Sequence, residues 1–351
     1  MTTDTPVLPD ALTARARTAA HPGGEGPRAD GPGDGGLRID GLRVDGPGGD
    51  GLRVDSPGDG GDRCDCPRTT LADRPDATVV RHGGTVAKAH AADTEPTALA
   101  LRLATAARLP DVLLAPHTAA PEPLGGRLVT LWPYGTPVDR DDPDAAPWEA
   151  AATLLARLHR AAPPAVLPPM RGPAKAVRAV GRLREALEAA PRTAAGDAAA
   201  APSVLRAWAS LPAWTRAEAP MPGPPVLCHG DLHLGQLVRY PAPDGPWRLI
   251  DVDDLGTGVP AWDLARPAAW FACGLLAPDE WARFLNAYRE ADGPAVPPDG
   301  DPWPALDVPA RALTVQTAAL ALAKALAAGR PLDEVERSVV DACARMTAVP
   351  H

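Results

Sequence analysis

Residues 228–236 read CHGDLHLGQ, which places two of the chain's eight histidines, an aspartate and a side-chain amide within one short segment. A hairpin pattern follows: LVRY (237–240) and PWRLID (246–251) read as short strands, and PAPDG between them as a turn. The two ends of an antiparallel hairpin lie about 5 Å apart across the ladder. Gln236, just before the hairpin, is therefore expected beside Asp251, just after it, with Asp231 on the preceding loop. A loop carboxylate can accept the proton of a reacting hydroxyl. A carboxylate and an amide oxygen are hard donors of the kind Mg²⁺ takes when it carries nucleotide phosphates. This division of labour is the one that phosphoryl transfer to a hydroxyl requires.

The elements that must position these residues can be read on either side. ATVVRHGGTVAKAH alternates apolar residues around Gly83-Gly84 and predicts a hairpin with strands at 78–82 and 85–90. Lys88, on its second strand, is placed to hold α- and β-phosphates. Thr94-Glu95-Pro96 opens a helix running to Arg108. Glu95 is the only acid of that helix and so the candidate partner of Lys88, although its first-turn position also suits an acid favoured by the helix dipole. GRLVTLWPYG (126–135) predicts a strand ending in a turn that could connect two lobes. Beyond it the pattern turns helical, at 147–161, 174–190, 201–211, 261–276, 278–291, 306–328 and 331–346. His159 closes the first of these helices and Cys228 lies in an apolar run, so both read as structural; His233 reads as a packed loop histidine.

The paired segments HGDLHLGQ and LIDVDDLGTGVPAWDLA (249–265) resemble the aminoglycoside phosphotransferase family, whose pattern is HGDxHxxN followed by IDxxxxGxGxPxxDLA. The loop is also similar to that of bacterial maltose kinases. The likeness extends more loosely to TVAKAH, LVTLWPYG and LLARLH (154–159), and so covers roughly residues 70–350. It implies an α+β, protein-kinase-like bilobal fold with a small strand-rich N-lobe (67–135) and a larger, mostly helical C-lobe (136–351). It also implies ATP or GTP with Mg²⁺, and phosphorylation of a hydroxyl on a small molecule such as an aminoglycoside or another hydroxylated metabolite. By motif position Asp231 is the catalytic base, and Gln236 and Asp251 bind metal. Asp263 is a buried acid supporting the loop, His229 braces its backbone, Lys88 contacts phosphates, and Leu131, Trp132 and Tyr134 face the adenine. Asp253 and Asp254 are candidates for contact with a cationic substrate. Gln236 stands where the family has Asn, and no Gly-rich strand-turn-strand precedes residue 78, so the phosphate loop is either the Gly83-Gly84 hairpin or absent.

Composition narrows the alternatives. The chain of 351 residues carries a net charge of −9, which disfavours nucleic acid as the main partner. No stretch approaches a membrane span and the N-terminus lacks a signal-peptide core, so a soluble, cytoplasmic protein is expected. Residues 1–66 hold eleven Asp and one Glu against seven Arg, three GLR[IV]D units and no aromatic residue; they read as a low-complexity, disordered tail with structure beginning near Leu71. Cys64-Asp65-Cys66 could hold a metal, but no second Cys/His pair is near in sequence, and the thiols read as part of the tail. Two other functions compete with the kinase reading. One is a catalytically weak or inactive kinase-like module that binds nucleotide or a small molecule. The other is a metal-dependent phosphoesterase, echoed by GDLH, whose several later histidines this chain lacks.

Overall fold

The computed structural model describes residues 8–22, 64–139, 141–190 and 198–348. They form two compact units: one contains the described residues up to Ala92 together with Pro123–Leu131, the other Asp93–Glu122 and the chain from Trp132 onward. The helix after Glu95, expected in the N-lobe, thus belongs by its contacts to the second unit.

The first unit is built on a five-stranded sheet of order β1 (Arg68–Arg74), β2 (Ala77–His82), β3 (Thr85–Ala89), β5 (Arg127–Pro133), β4 (Glu122–Leu124). The expected hairpin is β2–β3, with Thr78 opposite Ala89 and His82 opposite Thr85. Gly83 turns it at φ +57°, a conformation that suits a residue without Cβ. Along β3, Thr85, Ala87 and Ala89 are buried while Val86 and Lys88 are half-buried, the two-residue period of a strand with one face on a core.

That core is closed by a helix that the sequence reading assigned to the tail. Residues Leu8–Ala20 form α1, and Leu12 and Ala16 are fully buried against Val80, Ala87, Ala89 and Val129, with Leu8, Leu124 and Leu131 at the rim. Structure therefore begins well before Leu71. The GLR[IV]D repeats and the disorder expected of them lie at 23–63, outside the described residues.

The second unit is mostly helical: α2 (Pro96–Arg108), α3 (Trp148–Arg160), α4 (Gly172–Ala189), α5 (Ala201–Ser210), α6 (Ala261–Ala272), α7 (Pro278–Glu290), α8 (Trp303–Ala328) and α9 (Glu334–Ala348). α8 is its axis. It buries residues around its whole circumference, among them Leu306, Ala310, Leu313, Val315 and Leu322, as a helix surrounded by neighbours must. α4, α6 and α9 pack on it, and Phe271, Trp281 and Trp303 stack between the ends of α6, α7 and α8. Gly329 ends α8 in the left-handed region. Short strands then hold the loops: β6 (Thr136–Pro137), β8 (Leu237–Arg239) and β9 (Trp247–Leu249) form one sheet, and β7 (Val226–Cys228) pairs with β10 (Gly256–Gly258). Among the described residues no helix is long and apolar enough to cross a membrane.

Candidate active site

Two hairpin-like pairings assemble the loops. In β8–β9, Leu237 faces Leu249 and the Ile250 amide donates to the Gln236 carbonyl at 2.9 Å. In β7–β10, Gly256 faces Cys228. The 229–233 loop therefore starts beside the place where 251–255 ends. Their approach is close enough that a Cβ on Gly230, itself at φ +86°, would lie 2.5 Å from the Asp254 carbonyl oxygen. Only glycine satisfies both conditions there.

Asp263, in the first turn of α6, holds this loop from below. It is 1 % exposed, and its carboxylate accepts from the amides of His229 (2.6 Å) and Gly230 (2.7 Å) and from the His159 ring (3.0 Å). The other His159 nitrogen lies 2.7 Å from the Tyr288 hydroxyl, which accepts from the Ala295 amide. The network is complete when Tyr288 donates to Nδ1 and His159 carries its proton on Nε2, facing Asp263. The His229 ring donates from Nε2 to the Ile250 carbonyl at 2.8 Å, tying the loop to the residue before Asp251.

Asp231 is clamped by two cations. One oxygen accepts from Lys175 of α4 at 2.5 Å and the other from Arg266 of α6 at 2.7 Å. Burial alone would raise its pKa, but the Lys175 and Arg266 charges outweigh burial and hold it below the usual carboxylate range. Lys175 also donates to Asp254 at 2.8 Å. Burial would lower Lys175, and Asp254 and Asp231 together raise it instead. Asp254 is raised, chiefly by burial and in part by the neighbouring Asp231 and Asp251. His233 caps the turn at Leu234–Gln236 by accepting from the Gly235 amide, and burial pushes it down to about 4, so it is neutral at pH 7.

The Gln236 amide nitrogen is 3.4 Å from an Asp251 carboxylate oxygen, the neighbourhood the hairpin predicts. Asp251 occupies the left-handed region at φ 64°, ψ 75°. A non-glycine residue in that region costs about 1–3 kcal/mol and persists only where its surroundings hold it. The donor set fits a hard divalent cation: a carboxylate with a neutral amide beside it, whose oxygen and nitrogen exchange places by a half-turn of the side chain.

Lys88 lies in β3 of the first unit, opposite Val79, and Leu131 packs on that unit's core. Trp132 is buried and Tyr134 half-buried, both in the second unit. Glu95 is the N-cap of α2, its two oxygens accepting from the amides of Thr97 (2.8 Å) and Ala98 (2.5 Å), which lower its pKa. This is the helix-terminus role open from its sequence position. Asp253 is half-buried beside Asp251, whereas Asp254 is buried in the Lys175 cluster with Arg171 also near it at 3.8 Å. Sequence reasoning missed Lys175 and Arg266. It also missed Arg102, which reaches from α2 to the Leu255 carbonyl at 2.8 Å.

Residues 77–307 match the sequence model of the phosphotransferase enzyme family. The chain belongs to that family. A spectinomycin phosphotransferase, solved with ADP and spectinomycin, superposes with a TM-score of 0.54 at 13 % identity, over 81 % of this chain and 93 % of its own. An ethanolamine kinase from Plasmodium vivax gives 0.50 at 11 % identity, over 81 % and 82 %. A choline kinase from Streptococcus pneumoniae gives 0.49 at 13 % identity, over 80 % and 93 %. Comparison with curated proteins gave no match. The fold is kinase-like, and the family is one of phosphotransferases.

Proposed function

We propose that this phosphotransferase moves the terminal phosphoryl group of ATP, with GTP as the alternative donor, to a hydroxyl of a small molecule. The observation that carries the reading is the Asp231 clamp. A carboxylate fixed from both sides is already oriented, and each oxygen retains a second lone pair for an incoming hydroxyl. Asp231 orients that hydroxyl and accepts its proton as the new O–P bond forms and the bond from the terminal phosphorus to the bridging oxygen breaks, releasing the nucleoside diphosphate; the proton then passes to solvent. A carboxylate held this acidic is a weak base, which suits a loose transition state in which the proton leaves late. Gln236 and Asp251 would hold Mg²⁺, which when bound neutralises charge on the transferring phosphates. Lys88 would meet the phosphates and the segment from Leu131 to Tyr134 the nucleotide base.

The acceptor is assigned to a cavity of about 470 Å³ in the second unit, lined by Met170, Arg171, Trp214, Met221 and several prolines. Arg171 links it to the catalytic cluster through Asp254, which shares Lys175 with Asp231. A mostly apolar wall with one guanidinium favours a compact hydroxylated molecule with an apolar face over a polycation. Lys175 and Arg171 already pair with Asp254, so a substrate cation would have to displace them to reach that carboxylate. The test is a phosphorylation screen of neutral and polycationic alcohols with ATP and GTP, using Asp231→Asn as the blank. Transfer to polycations alone would overturn the acceptor assignment, and no transfer to any member would favour a binding module.

Two further outcomes are expected. Asp251→Ala should weaken Mg-nucleotide binding while leaving metal-free nucleotide binding nearly unchanged, as read by calorimetric titration with and without Mg²⁺. Lys175→Met should move the acid limb of the kcat/KM profile to higher pH. The sign follows from the clamp: losing a cation raises the Asp231 pKa, so the carboxylate protonates earlier as pH falls.

A further inference from the structure

The first unit contains a second cluster that phosphoryl transfer does not use. His21 follows the last turn of α1, Cys64 and Cys66 precede β1, and His82 ends β2. One ligand atom from each of the four lies within 4.8 Å of all the others. Cys64 Sγ is 3.2 Å from His21 Nε2 and 3.5 Å from His82 Nε2, and Cys66 Sγ is 3.4 Å from His21 Nε2. Metal–sulfur and metal–nitrogen bonds of about 2.3 and 2.0 Å, set tetrahedrally, separate sulfur from nitrogen by about 3.5 Å. The three contacts have that length.

Hydrogen bonding accounts poorly for the same contacts. A single ring nitrogen offers either one proton or one lone pair, yet His21 Nε2 faces two sulfurs. Cys64 Sγ in turn faces two imidazoles and the Cys66 amide. His82 is fully buried, its Nε2 meets a thiol, and its buried Nδ1 has no hydrogen-bond partner. Burying an imidazole for one weak sulfur contact is unfavourable. A central cation bound by all four side chains removes the conflict at His21 Nε2 and at the sulfurs, and gives the buried His82 Nε2 a strong partner, because each ligand then directs a lone pair inward.

We infer that His21, Cys64, Cys66 and His82 form a structural zinc site that fastens α1 to the sheet. Two thiolates and two imidazoles suit Zn²⁺, and four protein ligands leave no open position for catalysis. On binding, both thiol protons pass to solvent and the site becomes electrically neutral. Gly83 fits this packing: its turn receives Cys66, whose Sγ would sit 3.4 Å from a Cβ there. The site also brings together the two ends of the segment that carries the GLR[IV]D repeats.

Cobalt titration of the reduced, metal-stripped full-length protein tests the assignment. One equivalent of Co²⁺ should give the thiolate charge-transfer band and the intense visible bands of a tetrahedral site, and Zn²⁺ should abolish both. Cys64→Ser with Cys66→Ser should remove the charge-transfer band. His82→Ala should keep that band but weaken binding by at least about a hundredfold, as loss of a direct ligand exceeds the 10–100-fold typical of outer-shell changes. The Gln236 and Asp251 pair has no sulfur and cannot mimic this signal. Absence of the band in the parent protein, a reading that does not depend on any variant folding, would overturn the site. So would a band that survives in the double-serine variant.

Discussion

Asp231→Asn is expected to lower kcat by about 10²- to 10⁴-fold, the range for loss of a positioned general base, with little change in nucleotide affinity. The reasoning rests on the two-sided clamp. Asparagine retains one acceptor oxygen, so it can satisfy Lys175 or Arg266 but must turn its NH₂ toward the other. Lys175 keeps Asp254 as a partner, so the cluster stays assembled in the variant. The hydroxyl of the acceptor, however, loses both its proton acceptor and the oriented charge that aligns it. Single-turnover kinetics with saturating nucleotide, together with a direct Kd for nucleotide, separate the two effects. A variant that turns over like the parent would remove Asp231 from the chemistry. A large rise in nucleotide Kd at unchanged kcat would make it a binding residue instead.

The parts of this site legible in the sequence were those built by local geometry. Gln236 and Asp251 meet because one hairpin joins them, and a turn signal between two apolar runs is enough to predict that. Lys175 and Arg266 were not legible, because each reaches Asp231 from a helix 56 and 35 residues away and neither sits in a pattern that distinguishes it from a solvated helix face. The same holds for the zinc ligands: Cys64 and Cys66 are separated by one residue, but His21 and His82 approach Cys64 across 43 and 18 residues. β1 escaped because nearly every residue in it is exposed, which leaves no alternation of burial to detect. α1 escaped because Leu12 and Ala16 are its only fully buried residues, a thin apolar stripe next to a low-complexity segment. The helical second unit was the easier half, since Ala- and Leu-rich repeats at helical spacing persist over whole elements there.

Asp263→Ala carries the largest expected loss of stability, about 3–5 kcal/mol, as for removal of one partner from a buried charged network. The carboxylate satisfies two backbone amides and an imidazole, all out of contact with water. Alanine would strand all three donors, and each unsatisfied buried group costs about 1–3 kcal/mol. Asparagine should do little better, since its NH₂ would face a donor on one side. Tyr288→Phe tests the far end of the same network: it should cost less, because the ring packing remains and two uncharged groups, the Ala295 amide and His159 Nδ1, are stranded at about 1–3 kcal/mol each in place of the three donors of Asp263. Denaturant unfolding followed by tryptophan fluorescence provides the comparison. The loop bearing Asp231 starts at the amides that Asp263 holds, so Asp263→Ala should also reduce kcat in whatever folded fraction survives, whereas Tyr288→Phe should affect stability more than turnover. Equal stability of Asp263→Ala and the parent would mean that the loop is held by the His229–Ile250 bond and the β7–β10 pairing, and that the buried acid is not what fixes the catalytic backbone.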